Sequence, residues 1–137
     1  MATETLEEKI KSEMTVDYSD ALEKNFESAK KMIGITQEGK VTIVQQDVLG
    51  GEDRIVLYLI GKVYAKRVGY TKDDGVANRE LLEELGVKEG SLFPWLKFLR
   101  DSGKIRQREA GKFSTHYIPQ NLIAGELNRI WRKINKK

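Results

Sequence analysis

In the second half of the chain, the hydrophobic positions from Leu81 to Leu85 follow the spacing of a helix. Leu81, Leu82 and Leu85 recur on one side of a helical segment, and Gly86 follows them directly. Glycine adopts the left-handed conformation at low cost, and it commonly ends helices for that reason. The pattern therefore predicts an amphipathic helix that Asn78 caps and that ends before Gly86.

A second helix is predicted about four residues later, after a turn of the length found in helix-turn-helix motifs. Leu92, Leu96 and Leu99 share one of its faces, and Gly103 ends it. Residues 104–118 contain a glycine near their centre and then predict a strand, a tight turn and a return strand.

Residues 54–67 are apolar on every side, so a helix formed by them has to be covered all round. A central strand is the alternative for residues 55–60, because that run is short and β-prone, but the length of the segment favours a helix. One side would pack on the following helices. The other needs a second cover, either residues 1–52 or a second subunit, and we expect residues 1–52 to dock there.

The first residues of the chain predict a short helix. Leu6, Ile10 and Met14 recur every four residues, and Thr5 and Glu8 have the spacing of a capping box. This segment offers so little apolar surface that it would fray on its own.

A longer helix is predicted over residues 19–32. Ser19 is placed to cap it, and Leu22, Phe26 and Ala29 recur at the spacing of a buried stripe. The apolar stripe indicates that this helix packs against the rest of the chain.

The segments that flank the central helix carry weaker patterns. Residues 33–44 alternate between apolar and polar positions around Glu38 and Gly39, which predicts a β-hairpin. Residues 45–52 contain a glycine pair and predict a linker. Residues 121–134 place apolar side chains at helical spacing and predict a terminal helix.

Charge is distributed unevenly along the chain, whose net charge is +3. Residues 1–52 carry 6 basic and 11 acidic side chains, whereas residues 88–137 carry 12 basic and 4 acidic ones. A basic surplus on the second helix, the ribbon and the terminal helix is the electrostatic footprint of a protein that binds a polyanion. The alternative interpretation is that these lysines and arginines only solubilise a small domain.

Catalytic chemistry is scarce in this sequence. It has no cysteine, which excludes disulfides, thiol nucleophiles and cysteine-ligated metals, and His116 is its single histidine. Asp73 and Asp74, like Glu83 and Glu84, are adjacent in sequence and point in different directions, so neither pair forms an acid–base dyad. We expect a structural or hydrogen-bonding role for His116, no metal, no cofactor and no enzymatic activity.

The apolar runs are short. The longest, residues 55–61, is far below the ~20 apolar residues of a membrane span, and the acidic first residues lack the basic and apolar regions of a signal peptide. The sequence therefore predicts a cytoplasmic protein with no membrane contact.

The order of helix, tight turn, helix and basic ribbon in residues 76–118 resembles the winged helix-turn-helix domain of many DNA-binding regulators. The resemblance implies an α+β fold in which residues 53–137 form the winged-helix domain with a basic C-terminal helix. Residues 1–52 would be an acidic extension, a helix plus a hairpin, that completes the core. The implied function is binding of double-stranded DNA by a small transcriptional regulator or chromatin-associated factor.

The resemblance also implies which residues meet DNA. In the family, the second helix lies in the major groove, and the wing holds phosphates. The implied contacts of the second helix are Lys88, Glu89, Ser91, Pro94, Trp95 and Lys97. The implied contacts of the wing are Lys104, Arg106, Arg108 and Lys112, of which positions 104, 106 and 108 share one face of a strand.

The second helix departs from the family pattern because it is unusually aromatic. Phe93, Trp95 and Phe98 cannot all point inward beside the leucines; one interpretation is that Trp95 and Phe98 flank the core and only Phe93 is partly exposed. The alternative is that these aromatic residues contact a protein partner, so that the domain is a protein-interaction module without DNA binding. Winged-helix regulators often form homodimers, and Trp131 and the acidic N-terminal segment are candidate contacts.

Overall fold

Seven α-helices and two small antiparallel sheets make up the part of the chain that a computed structural model describes, residues 4–15, 21–110 and 113–135. The elements in chain order are α1 (Leu6–Lys9), α2 (Ala21–Lys24), α3 (Phe26–Met32), β1 (Ile33–Ile35), β2 (Val41–Ile43), α4 (Gly51–Arg67), β3 (Val76–Ala77), α5 (Asn78–Leu85), α6 (Glu89–Asp101), β4 (Arg106–Ala110), β5 (Phe113–Tyr117) and α7 (Ile123–Asn135). The fold is therefore α+β, as the sequence predicts.

Helix α4 forms the centre of the core. Twelve of its 17 residues are buried, which confirms the prediction of a helix covered all round and makes the strand alternative wrong. The β1–β2 hairpin, α6 and α7 pack against it from different sides. The hairpin approaches closely at Gly61, where an added Cβ would lie 2.4 Å from a methyl carbon of Val41.

The α5–α6 pair and the second sheet follow α4. Gly86 adopts the left-handed conformation with φ of 65° directly after α5, which confirms the predicted helix end. The predicted ribbon is the β4–β5 hairpin, and β3 adds a third strand through the pair Val76↔His116. Strand β3 was not predicted, because two residues are too few for an alternating pattern.

Asn78 does not cap α5, in contrast to the prediction. Ala77 occupies the capping position with no side-chain hydrogen bond, and Asn78 is the first helical residue. The pairing of β3 with β5 carries extended backbone as far as Ala77, so the helix can begin only after it.

The predicted helix over residues 19–32 is divided into α2 and α3 at Asn25. Its side-chain amide donates to the carbonyl oxygen of Ala21 at 2.7 Å, an interaction that competes with regular helix geometry. Leu22 and Ala29 are buried, but Phe26 is 50% exposed, so the predicted buried stripe is wrong at this position. Ser19, the predicted cap, lies outside the described residues.

The first helix has the predicted capping box. The backbone N–H of Glu8 donates to Thr5 Oγ1 at 3.2 Å, and the Thr5 N–H donates to a Glu8 carboxylate oxygen. A short π-helical stretch, Ile10–Met14, continues α1. Its apolar side chains Leu6, Ile10 and Met14 all remain exposed.

The predicted linker is shorter than expected. A 3₁₀ turn occupies Gln46–Val48, and Gly51 already belongs to α4, where it lies beneath the ring of Trp95. The predicted hairpin of residues 33–44 is observed, with Gly39 in the left-handed conformation at its turn. No helix within the described ranges is long and apolar enough to span a membrane.

Candidate nucleic-acid interface

Helix α6 presents a polar face to solvent. Leu92, Leu96 and Leu99 are buried against the core, as predicted. The exposed positions of α6 and its capping residue include Lys88, Glu89, Ser91, Pro94 and Lys97. Five of the six residues implied as DNA contacts on the second helix are thus accessible.

Trp95 is the exception among the implied DNA contacts. Its ring covers Gly51 at the start of α4, where an added Cβ would lie 2.4 Å from the ring, and its side chain packs on the core. Phe93 and Phe98 are 46% and 53% exposed. The interpretation that Phe98 flanks the core is therefore wrong. Position 98 lies about 100° or more around the helix from each of the three leucines, whereas Trp95 lies closer to them.

Trp131 on α7 is partly buried and contributes to packing within the chain. Its ring lies beneath the ammonium group of Lys31, whose nitrogen is 5.3 Å from the ring centroid. It also packs on the main hydrophobic cluster, so its exposed area as a dimer contact is reduced.

Arg108 on β4 is held by an acidic loop. Its guanidinium lies 2.8 Å from an oxygen of Asp73 and 3.1 Å from one of Asp74, and it stacks on the ring of Tyr117 at 4.0 Å. The backbone N–H of Gly75 and the charge of Arg108 lower the pKa of the Asp73 carboxyl, which keeps it ionised. The structure thus places Arg108 in an ion pair within the chain, with its side chain 40% exposed.

The other wing cations differ from one another. Lys104 precedes β4 and lies 3.7 Å from a carboxylate oxygen of Glu126. Arg106 is exposed and makes no ion pair with the described residues. Lys112 lies outside the described residues. Among the three described members of the predicted ridge, Arg106 is therefore the one without an ion pair to another described residue.

The two faces of the β4–β5 ribbon have different neighbours. Gln107 and its partner His116 line a groove against α6. Because side chains alternate along a strand, Arg106 and Arg108 project from the opposite face, where Arg108 stacks on Tyr117. The predicted basic ridge therefore faces away from the exposed surface of α6.

The groove between α6 and the ribbon has a volume of about 580 Å³. Its lining residues are Asn78, Phe93, Pro94, Leu96, Lys97, Arg100, Gln107 and His116. Asn78, Arg100 and Gln107 were not predicted as site residues from the sequence. The spacing of Phe93, Lys97 and Arg100 at intervals of four and three along α6 was the one available signal, since such residues share a helix face.

Arg100 and His116 form a hydrogen-bonded pair in this groove. An Arg100 guanidinium nitrogen lies 2.9 Å from Nε2 of His116. Arginine remains protonated and can only donate, so Nε2 accepts and the neutral imidazole carries its proton on Nδ1. Burial, together with the charge of Arg100, lowers the pKa of His116 to about 4. The hydrogen-bonding role expected of His116 is observed, and it leaves the charge of Arg100 uncancelled.

Metal-binding side chains do not gather anywhere in the described ranges: no three His, Asp or Glu residues lie where they could share an ion. Comparison with protein-family models, curated proteins and solved structures finds no match to this chain.

Proposed function

We propose that the chain is a winged-helix protein that binds duplex DNA, as a small transcriptional regulator or chromatin-associated factor. Support for the fold comes from the order of α4, α5, α6 and the β4–β5 ribbon, and from β3, which pairs with β5 ahead of α5. In such a domain α6 would enter the major groove and read base edges from its first turns.

The observation that carries the proposal is that the basic side chains on the exposed surface of α6 have weak or neutral partners, or none among the described residues. Lys88 is exposed and makes no ion pair with the described residues, and Lys97 has only a solvated partner, Asp101, one turn away. Arg100 has a neutral partner, His116. Arg129 on α7, by contrast, is held by the carboxylates of Asp53 and Glu126. The α6 surface is thus one where lysine and arginine remain available for phosphates.

Fluorescence anisotropy with a labelled duplex, titrated with salt from about 50 to 200 mM, tests this function. We expect binding that weakens with salt, and we expect the variant Lys88→Ala/Lys97→Ala to reduce the slope of log affinity against log salt by about two. The matched control is Lys11→Ala/Arg132→Ala, which removes two exposed cations elsewhere. No binding of the wild type at low salt, or equal losses in the two variants, would contradict the proposal.

A second function is favoured by the exposure of Phe98, whose ring lies on the flank of α6 away from the groove. Phe98 is 53% exposed, and a large aromatic side chain of this kind can fill a pocket of a partner in a protein–protein interface. In that case Phe98→Ala would abolish binding of a protein partner and leave duplex binding unchanged, as measured in the same titration.

A further inference from the structure

The groove between α6 and the ribbon combines three kinds of surface. Phe93 and Pro94 provide an apolar wall from α6, and Phe93 is 46% exposed. Gln107 stands on the ribbon side. Arg100 and Lys97, which also line the groove, add positive charge. The volume of about 580 Å³ lies within the range of roughly 300 to 1,000 Å³ that is usual for small-molecule sites.

The charge of Arg100 is available to an anion because its partner is neutral. His116 is 1% exposed and accepts from Arg100, so it fixes the guanidinium without neutralising it. By contrast, Arg108 and Arg129 each contact two carboxylates. A guanidinium held in this way can present two parallel N–H groups to a phosphate.

Lys97 can contribute a second cation. Its ion pair with Asp101 spans one helical turn, and both side chains are largely exposed. Pairs of this kind are weak, so a phosphate can replace the carboxylate at little cost.

Phe93 and Gln107 suit the remainder of a nucleotide. An exposed aromatic ring stacks on any nucleobase. The amide of Gln107 donates to the hydroxyl of Ser114 at 2.8 Å, which leaves its carbonyl oxygen and second N–H for the edge of a base.

We propose that this groove binds a nucleoside monophosphate outside a base-paired helix, with the phosphate on Arg100 and Lys97 and the base on Phe93. The inference goes beyond the proposed contact with duplex DNA, because its ligand is a single unpaired nucleotide. The nucleotide has two sources, a free mononucleotide or the unpaired end of a nucleic-acid strand.

Titration of the full chain with deoxyadenosine monophosphate, followed by amide NMR shifts, tests the proposal. We expect saturable shifts at residues of the groove and an affinity at least about tenfold higher than that of deoxyadenosine or of inorganic phosphate, since both halves contribute. Absence of saturable shifts, shifts that map outside the groove, or equal affinity for phosphate alone would overturn it.

Two matched pairs of variants locate the contacts. Arg100→Gln should weaken the mononucleotide by about tenfold, whereas Arg132→Gln, the same charge change on α7, should not. Phe93→Leu should weaken it severalfold, whereas Phe113→Leu at the exposed ribbon tip should not. Arg100→Lys retains the charge and restores part of the affinity. If each control lowers affinity as much as its partner, the groove is not the site.

The source is decided with a blunt duplex and the same duplex carrying a one-nucleotide 3′ overhang. Tighter binding of the overhang that depends on Arg100 supports a strand end, and binding of the free mononucleotide without overhang preference supports a free nucleotide. If the chain binds an unpaired nucleotide but not the blunt duplex, the proposed function is contradicted and this inference stands. If it binds the blunt duplex but neither the mononucleotide nor the overhang, this inference is contradicted and the proposed function stands.

Discussion

His116 is a residue whose chemistry is changed by its surroundings. It lies on β5, is 1% exposed and faces the guanidinium of Arg100. Its Nε2 atom accepts from Arg100, so a second proton there would break that hydrogen bond and place a second positive charge beside the guanidinium in a buried site. Burial first and the neighbouring cation second therefore favour the neutral ring.

This environment predicts that stability depends on pH through His116. Its pKa is lowered from 6.5 to about 4 in the folded state, so the unfolded state binds more protons between these values. Stability from this group is complete above pH 6.5 and falls as pH decreases towards 4, by roughly 2 to 3 kcal/mol. Urea unfolding at pH 7 and pH 5 measures the change.

The control for this prediction is His116→Gln, whose side chain does not titrate. Asp53 and Asp73 have lowered pKa values and so lose their stabilising charge only below the range of this experiment. An equal fall in stability between pH 7 and pH 5 in the variant and the wild type would show that another group is responsible.

Arg108 shows how tertiary contacts redirect a residue with a clear sequence pattern. Positions 104, 106 and 108 alternate as a basic strand face should. Yet Asp73 and Asp74 come from a loop more than thirty residues away, and both lie within 3.1 Å of the Arg108 guanidinium. Alternation in the sequence determines the face of a side chain, but not which groups lie opposite it.

At the scale of elements, the contact between α4 and the β1–β2 hairpin depends on one missing side chain. A Cβ at Gly61 would lie 2.4 Å and 2.8 Å from the two methyl carbons of Val41. These distances are far below van der Waals contact, so an added methyl group has to displace the hairpin or the helix.

Gly61→Ala is therefore expected to destabilise the protein. Overpacking costs about 1 to 3 kcal/mol and outweighs the gain of up to ~1 kcal/mol that alanine provides within a helix, so we expect a net loss near 1 kcal/mol. Adding Val41→Ala should make the loss from Gly61→Ala smaller, since the two methyl groups are then absent. Denaturant unfolding of the four proteins in this cycle measures the coupling.

Gly125 provides the control because it lies within α7 with nothing near its missing side chain. Gly125→Ala should stabilise the protein by up to about 1 kcal/mol. If Gly61→Ala also stabilises the protein, the close approach of the hairpin is not a constraint.

At the scale of the whole molecule, buried charges fasten the terminal helix and the hairpin to α4. Asp53 is 5% exposed and lies 2.8 Å from Arg129 and 2.7 Å from Lys133 on α7. Burial alone would raise the pKa of Asp53, but the hydrogen bonds and charges of Lys133 and Arg129 outweigh it and lower the pKa. On the other side, Lys62 of α4 donates to the Gly39 carbonyl oxygen in the hairpin turn at 2.7 Å.

Asp53→Asn should loosen α7. The change keeps the shape of the side chain but leaves Lys133 without its carboxylate and Arg129 with Glu126 alone. We expect a loss of about 2 kcal/mol, less than for fully buried pairs because Lys133 is partly solvated. Amide hydrogen exchange should accelerate more in α7 than in α5. Glu27→Gln, which breaks an exposed pair with Lys30, should leave both readouts unchanged. Uniform acceleration across the molecule would contradict a local role for Asp53.

Much of the fold is predictable because it follows from local periodicity. The helices around Leu81 and Leu92, the helix end at Gly86, the turn at Gly39 and both hairpins arise from spacing and backbone conformation within a few residues. The Thr5 capping box is equally local. Such interactions are encoded along the chain, so the sequence alone determined them.

What only the tertiary structure decided involves residues distant in sequence. Ala77 pairs with β5, so α5 begins only after it. The ring of Trp95 packs on Gly51, and the acidic loop forms an ion pair with Arg108. The groove likewise exists only because α6 and the ribbon bring Arg100 and Gln107 together. These features depend on which surfaces come together when apolar faces are buried, and the spacing of residues within one segment does not determine that.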